Sequence, residues 1–217
     1  MKRFAGLAFT RGLRKGKGRF IVRAENSSEV GQQFFYGEGR GKSYKNAFPY
    51  LLDAAYAGDA HCQNLVGYAY ERGLGTKQDL KAAFSWYQYA ARNDDIEGLW
   101  NLALCYEKGK GAKINKKRAF SLYRKAAEMG DAKAQCSLGI AYLDGLGTKP
   151  NLLEGLKWLK RAARNGDAKA QYNLGMAYLD GEGVRQNLKR ARSWLHKAAK
   201  QSHKKALVKL KALERTI

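Results

Sequence analysis

Between Asp131 and Gly145 the apolar residues Ala134, Leu138, Ala141 and Tyr142 fall at i, i+4, i+7 and i+8. That spacing puts them on one face of a helix. The Asp131 carboxylate precedes the run and can accept the free N–H groups of a first turn. Gly145 follows it and can supply the left-handed residue that closes a helix. A second run has the same grammar: Asn151 as cap, Leu156, Leu159 and Ala162-Ala163 as the packing face, and Gly166 as terminator. The stretch therefore predicts helix, glycine turn, helix. Gly139 sits inside the first helix, where a missing side chain lets the second approach closely.

The unit recurs. "AKAQCSLGIAYLDGLG" at 132–147 returns as "AKAQYNLGMAYLDGEG" at 168–183, an offset of 36. Stepping back by the same interval aligns Tyr178, Tyr142, Tyr106 and Tyr70, then Gly183, Gly147, Gly111 and Gly75. Asn187, Asn151, Asn115 and Asp79 form a further series, and the pairs Ala198-Ala199, Ala162-Ala163, Ala126-Ala127 and Ala90-Ala91 another. A constant period of this size predicts stacked helical pairs. Five repeats are expected, at 23–58 (degenerate), 59–94, 95–130, 131–166 and 167–202, after a basic tail at 1–22 and before a terminal helix at 203–217. In that last helix Lys211 replaces the close-approach glycine, as suits a cap.

The period also disposes of an apparent nucleotide site. "GEGRGKS" at 37–43 looks like a phosphate-binding loop, but that loop needs its first glycine at 36, where Tyr36 stands. Gly37 and Gly39 align instead with Gly73 and Gly75, so they belong to the turn of the first repeat.

The pattern A-x-A-Q-x-x-L-G-x-x-Y-x-x-G-x-G, then Asn or Asp, then W-x-x-[KR]-A-A, resembles the Sel-1-like repeat, a relative of the tetratricopeptide repeat. The likeness covers about residues 23–202, is close at 131–202, loosens at 95–130 where Ala103 replaces the close-approach glycine, and is weak at 23–58. It implies an all-α, right-handed α/α solenoid whose first helices line a concave face. Such proteins are usually adaptors, often bacterial, with no catalytic residue in the motif. The cysteine-rich, secreted branch has a disulfide in each repeat, and that spacing is missing here.

If the first helix of each repeat lines a groove, a second set of positions on it comes into view. These are Asn64, Tyr68 and Glu71; Trp100, Leu104 and Glu107; Cys136, Ile140 and Leu143; Tyr172, Met176 and Leu179. The two later helices are then apolar nearly all round, so the stripe is either the seam between adjacent helices or an exposed sticky surface. The aromatic members favour a groove, because large amphipathic rings serve as interface anchors. Candidate groove residues are Tyr68, Trp100, Leu104, Ile140, Tyr172 and Met176, and the expected partner is another protein.

Charge supplies a competing expectation. The chain of 217 residues carries a formal net charge of +22. The excess lies in residues 1–22 and in the C-terminal half. A balance this basic points to an anionic ligand: nucleic acid, an acidic protein or a membrane surface. Runs at 108–118, 157–164 and 185–192 would stack along a solenoid into one basic ridge. Lys116, Lys117, Arg118, Lys157, Lys160, Arg161, Lys189 and Arg190 are its candidate members. The competing reading is a solvated face.

Other chemistry finds no support. His61, His196 and His203 lack a second metal ligand at i+3 or i+4. No nucleophile–base arrangement and no tuned carboxylate pair can be assembled, so no enzyme, cofactor or metal site is expected. Cys62, Cys105 and Cys136 are too few and irregular for a disulfide framework, which suggests reduced thiols in a cytoplasmic protein. The apolar stretch "FAGLAF" is too short for a secretory signal, although seven basic and no acidic residues at 1–22 also suit a transit peptide. No segment reaches membrane-spanning length.

Overall fold

The computed structural model describes residues 24–214. Ten helices of 13 residues pair in order: α1 (Ala24–Tyr36) with α2 (Tyr44–Tyr56), α3 (Ala60–Arg72) with α4 (Leu80–Arg92), α5 (Ile96–Lys108) with α6 (Lys116–Glu128), α7 (Ala132–Asp144) with α8 (Leu152–Arg164), and α9 (Ala168–Asp180) with α10 (Leu188–Lys200). A final helix, α11 (Lys204–Glu214), follows. Each helix packs on the next in sequence, and α3 also touches α5. The described residues contain no strand. This is the all-α solenoid that the period predicts.

The caps fall where the sequence places them. Asp59, Asp95, Asp131 and Asp167 accept the N–H of Cys62, Gly98, Ala134 and Ala170 at 2.6–2.8 Å. Asp79, Asn115, Asn151 and Asn187 do the same for α4, α6, α8 and α10. In the first repeat Ser43, the last residue of "GEGRGKS", caps α2 through the Asn46 N–H at 3.3 Å. The stretch is thus a helix–helix turn, with Gly37 at φ +85° and Gly39 at +70°.

Packing explains one glycine series best. A Cβ on Gly75, Gly111 or Gly147 would overlap the carbonyl oxygen of Tyr44, Leu80 or Lys116 respectively, the first residue of the preceding repeat's second helix. The G-x-G turn therefore does two jobs. Its first glycine closes the helix, and its second admits contact with the neighbouring repeat. The alanine pairs are buried in the core throughout α2 to α8, beside Tyr87, Tyr123, Leu138 and Leu159.

Buried glutamines tie successive pairs together. Gln63 donates to the Ala55 carbonyl at 3.1 Å and accepts from Asn93 at 2.9 Å. Gln135 repeats this with Ala127 and Asn165, and Gln171 with Ala163 and Gln201. In the third repeat the two positions hold Leu99 and Met129, so donor and acceptor disappear together.

Candidate partner-binding groove

The odd-numbered helices α1, α3, α5 and α7 frame a pocket of about 390 Å3. Phe35 and Tyr36 come from α1, Lys42 and Tyr44 from the turn and start of α2, and Asn64, Leu65 and Tyr68 from α3. Glu97, Trp100 and Asn101 come from α5, Asp131 from the cap of α7, and Lys133 from α7 itself. Tyr68 and Trp100 are equivalent residues only in the sense that both face inward, since Trp100 aligns with Asn64 and Tyr68 with Leu104.

The rings are held in place. Trp100 donates its indole N–H to Ser137 Oγ at 3.2 Å, with Lys133 Nζ 5.8 Å from the ring centroid. Phe35 meets Tyr68 edge-on at 6.3 Å, and Arg72 lies 5.7 Å from the Tyr68 centroid. Between them runs a ladder of amides: Asn101 Nδ2 donates to Asn64 Oδ1 at 2.8 Å, and Asn64 Nδ2 donates to Glu97 Oε2 at 3.1 Å. Both carboxylates of the pocket are engaged internally, Glu97 by Asn64 and Asp131 by the Ala134 N–H. Beside the rim, Tyr36 Oη lies 3.3 Å from His61 Nε2, and His61 Nδ1 is 3.8 Å from Asp95. The contact with the Asp95 carboxylate, working against burial, raises the His61 pKa above its ordinary value.

The other stripe residues part company. Ile140 and Met176 line a separate pocket of about 380 Å3 with Leu143 and Lys169. Leu104 packs against the central core with Leu102 and Tyr106. Tyr172 stacks on His203 at 4.8 Å and packs against Leu195 and Ala198, so the C-terminal region takes up this ring. Glu71 and Glu107 turn toward the second helices and accept the hydroxyls of Tyr87 and Tyr123 at 2.8 and 2.7 Å. Burial opposes ionisation of Glu71, but hydrogen bonds from Lys110 and Tyr87, with the Lys110 charge, hold its carboxyl below the usual range. In the next two repeats these pairs become Leu143 with Leu159 and Leu179 with Leu195.

The sequence pattern does not single out Asn101, Glu97 or Lys133. Asn101 and Glu97 lie next to the stripe on α5, and only their contacts with α3 make them part of the site. Lys133 is simply the residue one period after Glu97.

The basic residues occupy two settings instead of one continuous ridge. Lys116, Lys117 and Arg118 open α6, and Lys189 and Arg190 open α10, but the intervening positions hold Leu153 and Glu154. Lys157, Lys160 and Arg161 lie farther along α8. Arg118 is tied down, donating to Tyr106 Oη at 3.0 Å. Cys62, Cys105 and Cys136 are buried free thiols, and burial pushes Cys62 up to about 11 and Cys105 up to about 12. No three His, Cys, Asp or Glu side chains cluster as metal ligands among the described residues, and none of the described helices is long and apolar enough to cross a membrane.

Helix hairpins of constant period, joined by G-x-G turns and stacked through small residues, define a tandem-repeat α-solenoid. The chain belongs to the Sel1 repeat family, whose pattern matches residues 29–59, 60–95, 96–131, 132–167 and 168–203. It is similar to a Sel1 repeat protein from Oxalobacter formigenes, with 28% identity and a TM-score of 0.82, covering 88% of this chain and 78% of that one. It also resembles c5321, a protective antigen of uropathogenic Escherichia coli with an SLR fold, at 31% identity and a TM-score of 0.78. That match covers 90% of this chain and 42% of the antigen, so this chain spans under half of its length. A Sel1 repeat protein from Klebsiella pneumoniae shares the fold at 19% identity and a TM-score of 0.57. No curated protein matches the chain. Sel1 repeat proteins generally mediate protein–protein interactions, on a scaffold fold that is typically non-catalytic.

Proposed function

We propose that this protein is a non-catalytic adaptor that holds a segment of a partner protein in the groove across α1, α3 and α5. The observation that carries this reading is the pocket of about 390 Å3 in which Tyr68 and Trp100 stand beside the Asn64–Asn101 amides. Fixed rings offer apolar area at little ordering cost. The amides can exchange bonds with a peptide backbone, and Lys42 and Lys133 form no ion pair with a described carboxylate. A segment with an apolar anchor and a nearby carboxylate fits that lining.

The test compares capture from nuclease-treated lysate at high salt by the wild type, Trp100→Ala, Tyr68→Ala and, as a control, Met176→Ala. A partner retained by the wild type and control but lost by both groove variants supports the reading. Anchor truncation should cost about 2 kcal/mol or more, roughly a thirtyfold loss of affinity. Equal capture by all four proteins would overturn it.

A further inference from the structure

We propose that the exposed faces of α8 and α10 form a second binding surface, separate from the groove, that holds the phosphodiester backbone of a nucleic acid without reading its sequence. Toward the C-terminus, helices α8, α10 and α11 together contain thirteen lysines and arginines against two glutamates. The cations are ordered by helical register. Lys157, Lys160, Arg161 and Arg164 follow at i, i+3, i+4 and i+7, one face of α8. They line a cleft of about 360 Å3. On α10, Lys189, Arg192, Lys197 and Lys200, at i, i+3, i+8 and i+11, line a cleft of about 500 Å3. The lining of neither cleft includes a carboxylate.

The period sets the two rows side by side, with Arg161 aligned to Lys197 and Arg164 to Lys200. Two of these cations are pre-positioned over indoles: Arg161 lies 4.9 Å from the Trp158 centroid and Lys197 4.3 Å from that of Trp194. On α6 the equivalents of Lys160 and Arg161 have carboxylate partners. Lys125 pairs with Asp94 at 2.5 Å and Arg124 with Glu128 at 4.0 Å. On α8 only Lys157 has such a partner, Glu154, and on α10 none of the cations pairs with a described carboxylate. At these register positions the unpaired positive charge therefore begins at α8 and continues on α10.

Geometry selects the occupant. The row on α8 spans about 10 Å at 1.5 Å per residue, enough to meet two consecutive phosphates of a strand. The cations lie in clefts, which a flexible polyanion can enter and a flat lipid surface cannot. Beyond Leu152, Leu153 and Leu188 at their N-terminal ends, α8 and α10 expose no large apolar side chain that could insert into a bilayer. The Trp158 and Trp194 faces carry a cation already, so they are not open platforms for base stacking. Backbone binding by counterion release is what remains.

The test measures fluorescence anisotropy of the full chain with a labelled mixed-sequence RNA and its scramble. If four phosphates are neutralised, affinity should fall about 50-fold between 50 and 200 mM salt, equally for both sequences. Two quadruple variants of identical net charge separate the site from bulk charge. One carries Lys160→Glu, Arg161→Glu, Lys197→Glu and Lys200→Glu; the other carries Lys77→Glu, Lys81→Glu, Lys113→Glu and Lys117→Glu. The first should bind at least about tenfold more weakly than the second, with unchanged circular dichroism melting for both. Equal weakening of the two, absence of binding at low salt, or tighter capture by phosphatidylglycerol vesicles than by RNA would each overturn the proposal.

Discussion

Gln135 shows how a single residue bridges two repeats. Its amide donates to Ala127 and accepts from Asn165. Gln135→Leu should cost about 1–3 kcal/mol in denaturant unfolding, because a buried carbonyl and an amide lose their partner. The third repeat indicates the rescue, since it carries Leu99 and Met129 at these places. Gln135→Leu with Asn165→Met should recover most of the loss, and strict additivity of the two substitutions would refute the pairing. His61 supplies a pH signature at the groove rim. Its raised pKa means that the Asp95 contact stabilises the fold fully below the ordinary imidazole value of about 6.5 and fades as pH rises through the folded value. An NMR titration of His61 should find a midpoint above about 6.5 that drops in Asp95→Asn. An unchanged midpoint in that variant would remove Asp95 as the cause. The aromatic anchors Tyr68 and Trp100 were legible in the sequence as large rings at inward positions. Asn101 and Glu97 were not, because their role comes from a hydrogen-bond ladder between helices 37 and 33 residues apart in sequence.

At the scale of the element, helix and turn were readable almost residue by residue. Capping aspartates, G-x-G turns and alanine pairs act through neighbours close in the chain, and the period repeats each signal four or five times. The second turn glycine is where an element's sequence answers to the neighbouring repeat. Gly147→Ala would drive its methyl into the Lys116 carbonyl while holding φ at +73°. The expected cost is at least about 2 kcal/mol by chemical denaturation. Gly166→Ala is the informative comparison. It also has positive φ, at +93°, but a Cβ there meets nothing within 4 Å, so it should cost less. Similar losses at the two sites would mean that contact with α6 contributes nothing.

For the whole molecule, a solenoid's stability is a chain of neighbour interfaces. α11 covers one end: Ala206 is buried, and Leu210 and Leu213 pack against the cluster of Leu195 and Ala198 with Tyr172. A truncation ending at Ser202 should lower hydrogen-exchange protection in α9 and α10 while leaving α3 to α6 nearly unchanged. Uniform loss across all repeats would show that the array unfolds as one cooperative unit. The distribution of charge belongs to this scale too. Cations in the second half of α6 and of α8 look alike in sequence, yet Lys125 and Arg124 on α6 meet Asp94 and Glu128, while Lys160, Arg161 and Arg164 on α8 face an open cleft.

By itself the sequence determined the helices, their caps, the turns and the period, because those depend on hydrogen bonds and backbone conformations within one repeat. The tertiary structure decided which of several equally apolar inward positions stay open. Trp100 and Tyr68 face a pocket; Leu104 is drawn into the core, and Tyr172 is covered by His203 and the terminal helix. Exposure of a side chain is set by whatever packs beside it from the next repeat, and no pattern internal to one helix records that.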